Sequence, residues 1–145
     1  MVGLVLPNYR VFLHVFGAIT LSGGIGAVVV LAIATKRRPE HAALLSRLAF
    51  RTLVLVVIPA WILMRVGAQL VADNEYPGTT PGWVGVGFIV SEGVGAFILA
   101  SGVIAFLSAR RGGAGRLATT LAVLAPIQLI ALVVAWWAMT TRPGS

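Results

Sequence analysis

The chain has 145 residues, of which 59% are hydrophobic and 10% charged, with a mean hydropathy of +0.99. A soluble domain averages about 45–50% apolar and about 25% charged residues, so water is not the main solvent here, and long apolar runs exclude collagen and disorder despite 17 glycines. The net charge of +7 would suggest nucleic acid in a soluble protein, but most of the basic residues lie in two short segments between apolar runs, where they orient membrane helices instead.

The opening Met1–Pro7 has no basic n-region and no separate cleavage site, so it is not expected to be a cleaved signal peptide. Four apolar runs then reach bilayer-spanning length, about 20 residues each: Val11–Ala34, Thr52–Ala72, Trp83–Leu107 and Leu117–Met139. The connections leave no room for a soluble domain, and the expected fold is an all-α, polytopic membrane protein, a four-transmembrane-helix bundle forming one integral membrane domain. The first and third connections carry eight of the eleven basic residues. Positive charge marks cytoplasmic loops, so both are expected inside, with both termini outside the cytoplasmic (inner) membrane. Tyr9, Tyr76, Trp83, Trp136 and Trp137 gather at the expected outer face, as an interfacial belt does. Pro39 and Glu40 read as a helix start, making His41–Arg51 a helical overhang of the second span. Arg47 and Arg51 then share one face near the headgroups and snorkel to anionic lipid.

Sliding the third span over the first by 78 positions superposes Gly17 on Gly95, Ala18 on Ala96, Leu21 on Leu99, Gly24 on Gly102 and Ala27 on Ala105. The second and fourth spans match at an offset of 67, with Pro59 over Pro126. The pattern suggests two parallel helical-hairpin repeats about an axis along the membrane normal. Chance alignment of Gly/Ala/Leu-rich helices is the alternative. Small residues recur every four positions at Ala18, Ser22 and Gly26, and at Gly87, Ser91 and Gly95, a spacing that suits close packing within the chain or a homo-oligomer stripe. Pro59 and Pro126 strand the carbonyls of Leu55 and Ala122 and are expected to kink their helices.

The ionisable residues inside the expected spans are His14, Arg65 and Glu92. At about 1.5 Å per residue they lie roughly 5, 10 and 14 Å below the outer face, and Gln128 lies near mid-depth in the fourth span. A charge at the bilayer centre costs about 2.5–3.5 kcal/mol on insertion scales, so such groups are paired or face protein or water. One expectation is that His14, Arg65 and Glu92 converge on a polar chamber opening outward, able to hold a proton, an ion or a small polar ligand. The bland alternative has Arg65 snorkelling, Glu92 fixing helix register, and His14 donating to a backbone carbonyl.

No metal site is expected. Haem would require His14 from two copies or Met64 as second ligand, and no cofactor is assigned. With no cysteine, thiolate catalysis and Cys-ligated metal are excluded, and no nucleophile-elbow, zincin or P-loop pattern occurs, so no enzyme activity is expected. The chain's partners are expected to be membrane lipid and a second copy or a larger membrane complex, with no nucleic acid. Three functional readings follow: a small transporter or ion-responsive protein acting through the polar residues, a noncatalytic subunit or assembly factor of a larger membrane complex, or a haem-binding membrane protein through His14.

Tyr9-Arg-Val-Phe-Leu-His14-Val-Phe-Gly17-Ala, Gly23-Gly24 and the closing Trp137-Ala-Met-Thr-Thr-Arg-Pro143 resemble a family of uncharacterised four-helix bacterial integral membrane proteins. The Leu-His pair near the outer start of the first helix is distantly similar to the copper-resistance D and protoporphyrinogen-oxidase-like HemJ membrane families. The methionine clusters expected for copper handling are missing. The resemblance implies the four-helix topology and draws attention to His14, and it carries no activity over.

Overall fold

The structure, a computed structural model, describes residues 8–79 and 81–141, with the side chains of 8, 138 and 139 left aside. The expectation for Met1–Pro7 lies outside the described residues. Every element is helical, because backbone polar groups in hydrocarbon must be satisfied within the segment. Helix α1 (Asn8–Arg37) ends on Lys36 and Arg37, cations that suit the negative end of a helix dipole. A 3-10 turn at Pro39–His41 leads into α2 (Ala42–Thr52), a π-helical stretch (Leu53–Val57) and α3 (Ile58–Glu75), which together form one long helix. Helices α4 (Gly82–Arg110) and α5 (Arg116–Thr141) complete the chain.

Four helices are long and apolar enough to cross a membrane: Tyr9–Arg37, Pro39–Glu75, Gly82–Arg110 and Arg116–Trp137. The protein is a multi-pass, all-α membrane bundle. Each helix outlasts the expected span at one or both ends, since polar residues such as Thr35–Arg37 and Asp73–Glu75 continue a helix once it is nucleated. Residues 42–51 are helical, so the overhang expected before the second span is present.

Neighbouring helices pack in a closed ring, with α1 against α2–α3, α2–α3 against α4, α4 against α5, and α5 back against α1. Leu21, Ile25, Val28, Leu53, Val57, Ile98, Leu121 and Ala125 fill the middle. Most other large apolar side chains face outward, as a bilayer solvent permits. Because the helices alternate in direction, both described termini and the Tyr76–Pro81 connection share one end, called here the terminal end. Tyr9, Trp136 and Trp137 are exposed there, and Tyr76 meets Trp83 edge-on at 6.1 Å. The opposite end carries the basic connections.

The two prolines act differently. Ahead of Pro59 the helix relaxes into π geometry, in which the Ile58 amide donates to the Leu53 carbonyl five residues back. The wider turn accommodates the missing proline N–H, a usual cause of such bulges. Pro126 sits inside α5 with no interruption of the α-helix.

The tightest seam runs between α1 and α3. A Cβ on Gly17 would lie 2.4 Å from the Met64 backbone nitrogen, and one on Gly67 would lie 2.4 Å from that of His14. The backbones touch through two reciprocal glycine notches, which is how membrane helices gain dispersion energy when lipid removes the hydrophobic driving force. Gly24 makes a third close approach, to Val57. The stripe expected at Ala18, Ser22 and Gly26 is displaced from this seam. Ser22 is exposed and bonds back to the Ala18 carbonyl, and a Cβ on Gly26 would meet open space. Of the two roles expected for this stripe, packing within the chain falls instead to Gly17, Leu21, Gly24 and Val28, spaced four, three and four, one residue around the helix. On α4, Gly87 and Gly95 are buried and Ser91 half-buried, with Gly95 beneath the Trp61 ring.

Candidate functional site

Arg65 on α3 and Glu92 on α4 form the one ion pair among the described residues, Nε to Oε1 at 2.6 Å. Arg65 Nη1 also donates to Gln69 Oε1 at 3.1 Å, and Gln69 Nε2 donates to Asp73 Oδ1 at 2.8 Å. The Arg65 guanidinium stacks over Phe88, 4.4 Å from the ring centroid. Arg65, Gln69 and Asp73 are four residues apart and therefore share one helix face. The result is a polar ladder from Asp73, near the loop, to Glu92, roughly 12–15 Å along the span. The guanidinium thereby meets an acid, an amide and an aromatic face at once, the combination a planar cation uses best.

The ladder lies on the outside of the bundle. The Glu92 side chain is 56% exposed and that of Arg65 27%. Two cavities lie at the basic end, away from this pair.

His14 does not join them. Its Nδ1 lies 3.1 Å from the Met64 carbonyl oxygen, and with the proton on Nδ1 the ring donates to it. Met64 and Arg65 are consecutive on α3 and so point about 100° apart. His14 and Glu92 thus meet neighbouring residues of α3 at one depth but from different sides, and α3 separates them. The expected three-residue convergence is corrected to a pair and a separate histidine. At this level α1 and α3 touch through Gly17 and Gly67, so no gap between His14 and Met64 admits a planar macrocycle.

Gln128 is also elsewhere. It is 3% exposed, and its Nε2 donates to the Phe97 carbonyl at 2.9 Å and to Ser101 Oγ at 2.6 Å. It clasps α5 to α4 and does not approach the ladder. No group of three or more His, Asp or Glu able to hold a metal occurs among the described residues.

Three participants were missed in the sequence. Gln69 and Asp73 carry the ladder outward, and their i, i+4 spacing from Arg65 was the available signal. Trp61 bridges α3 to α4, donating Nε1–H to the Ser91 carbonyl at 3.0 Å with its ring against Gly95. Nothing in the sequence pairs a tryptophan with that glycine. Beside this contact Ser91 Oγ is buried without a hydrogen-bond partner.

Comparison of the chain with protein-family models, curated proteins and solved structures finds no match.

Proposed function

We propose that the protein is a noncatalytic assembly subunit of the cytoplasmic membrane whose α3–α4 face packs against a second copy of the chain. The observation that carries this reading is the position of Glu92, half-exposed on the bundle's outer surface within a membrane-spanning helix. Arg65 neutralises it, but hydrocarbon leaves the remaining lone pairs of the carboxylate unsatisfied. Protein cover relieves that cost. A face bearing an acid beside a base is complementary to itself under two-fold symmetry, which favours an isologous contact. On the same flank of α4 a Cβ on Gly85 or Gly93 meets nothing within 4 Å, and Ala96 and Ala100 are exposed between the outward-facing Ile89 and Leu99. Small residues of this kind let a second helix approach closely.

In this reading the basic connections lie in the cytoplasm and the termini outside, following the charge bias of the loops. Because the chain has no cysteine, single introduced cysteines report proximity cleanly. Oxidation of membranes containing Ala96→Cys is expected to give a disulfide-linked dimer, while Val133→Cys, exposed on α5, stays monomeric. Equal cross-linking at both sites, or none at Ala96, overturns the reading. So does capture of a different chain at Ala96, which would make the assembly heteromeric.

A second reading draws on the ladder itself. Arg65, Gln69 and Asp73 supply a continuous polar line from the terminal end to Glu92, as an ion-responsive or transport site would need. Proton flux in reconstituted vesicles that Glu92→Gln abolishes would favour it.

A further inference from the structure

A cavity of about 550 Å³ opens at the basic end, within the range of about 300–1,000 Å³ usual for ligand sites. Its walls come from three elements: Thr35 and Lys36 at the end of α1, Pro39 and Ala42 at the entry to α2, and the Gly112–Gly115 loop with Arg116 and Thr119 of α5. The loop is held firmly. The Gly113 amide donates to the Ser108 carbonyl at 2.8 Å, closing α4. Gly113 has φ +77°, and a Cβ there would strike the Ala42 carbonyl oxygen. Only glycine fits, so the far wall of the cavity is fixed against α2.

The charge of this cavity is one-sided. Lys36 and Arg116 line it, no acidic residue does, and neither cation forms an ion pair among the described residues. Glu40, the one acid near this end, is exposed beyond the lining. Thr119 adds a hydroxyl. The first turn of α5 contains no acidic residue and follows Gly115, which has no side chain to cap it. Its leading amides therefore add to the positive potential already set by the two side chains. The cavity also lies at the ends of the apolar spans of α1 and α5, Arg37 and Arg116, which is where a bilayer's headgroups would meet them. Basic pockets between transmembrane helices at that level suit phosphate headgroups.

We propose that this cavity binds a phosphate-bearing anion, with Lys36 and Arg116 as its paired cationic contacts. The site is independent of the dimer face, being at the opposite end of the bundle. Both a phospholipid headgroup and free phosphate have this chemistry. The test uses the full chain purified in a neutral detergent, titrated separately with phosphatidylglycerol, phosphatidylcholine and inorganic phosphate. Native mass spectrometry reads bound lipid, and phosphorus NMR reads bound phosphate.

Phosphatidylglycerol is expected to bind more tightly than phosphatidylcholine. Removing either cation, by Lys36→Ala or Arg116→Ala, should weaken binding about fivefold, and removing both about thirtyfold. Arg110→Ala removes the same charge from the same end but does not line the cavity, and should change affinity less than about twofold. Arg116→Glu separates binding from folding. It places an acid in the first turn of α5, where the helix favours one, so thermal stability is held or raised while anion binding is lost. Cation-dependent binding of phosphatidylglycerol that inorganic phosphate does not displace assigns the site to lipid. Cation-dependent binding of inorganic phosphate alone assigns it to the free anion, and either result supports the proposal. Equal losses from Arg110→Ala and Lys36→Ala, or no binding of either probe, overturn it.

Discussion

The glycine seam between α1 and α3 makes a sharp demand on stability. In Gly17→Ala the new Cβ would lie 2.4 Å from the Met64 nitrogen and 2.7 Å from its Cα. Unstrained contact needs about 3.5–4.0 Å, so the two helices must part by more than about 1 Å. The neighbouring atoms are backbone, which has no rotamer to move aside. Overpacking of this kind costs about 1–3 kcal/mol. Parting the helices also stretches the His14–Met64 carbonyl bond, a further loss of about 0.6 kcal/mol by the average for membrane proteins. The intrinsic helix preference of alanine over glycine acts the other way by up to about 1 kcal/mol, and Gly23→Ala isolates it. Gly23 lies on the same helix, and a Cβ there meets nothing within 4 Å. The helix preference is common to both variants and cancels, so the expected difference is about 1.6–3.6 kcal/mol, with Gly17→Ala the less stable. Denaturant titration in mixed micelles, followed by tryptophan fluorescence, measures it. If Gly17→Ala unfolds at the same denaturant fraction as Gly23→Ala, the seam is not as close as described and the reasoning fails.

Arg65→Ala leaves Glu92 without its cation in a membrane-spanning helix and should destabilise the bundle more than the double variant Arg65→Ala/Glu92→Ala; a double-mutant cycle should return a coupling of about 1 kcal/mol, within the usual range for contacting residues. Gln128→Leu removes two hydrogen bonds from α5 to α4 at similar volume and should cost about 1 kcal/mol in the same titration, more than an exposed change such as Val133→Leu. Pro59→Ala restores an amide to the second span, and the widened turn at Leu53–Val57 should close to α geometry, seen as slower amide exchange at residues 55–58 than in the parent chain.

The membrane fold was legible because hydrocarbon imposes a simple rule. A run of apolar residues long enough to cross it must satisfy its own backbone, so four runs meant four helices. Their ends were less legible: Thr35–Arg37 and Asp73–Glu75 are polar, and only helix continuation carries them into the helices. The relative level of His14, Arg65 and Glu92 was legible by counting along each helix, but their direction was not. His14 and Glu92 do reach adjacent residues of α3. Whether they touch depends on the rotation of three helices about their axes, and one residue, about 100°, separates a shared chamber from two independent contacts. The small-residue stripe on α1 faces away from the α3 seam for the same reason. Ala18, Ser22 and Gly26 each sit one or two residues past Gly17, Leu21 and Gly24, which turns them away from the seam that those three follow.

The repeat illuminates this division further. The ring of helices has the neighbour relations of a parallel two-fold, with α1 beside α2–α3 as α4 is beside α5, and α4 beside α2–α3 as α1 is beside α5. The matched positions nevertheless do different things. Gly17 receives the backbone of α3, its own hairpin partner, whereas Gly95 receives the Trp61 ring across the seam between hairpins, and Gly102 meets open space where Gly24 meets Val57. Pro59 sits behind a π turn and Pro126 within regular helix. Helix order and direction can therefore be symmetric while the contacts are not. The polar groups follow the contacts: the ladder occupies the α3–α4 seam, and its counterpart between α5 and α1 has no paired charges among the described residues. A two-fold assembly of whole chains through the α3–α4 face would bring two ladders together around one axis, giving the bundle between copies a polar symmetry that its own halves lack.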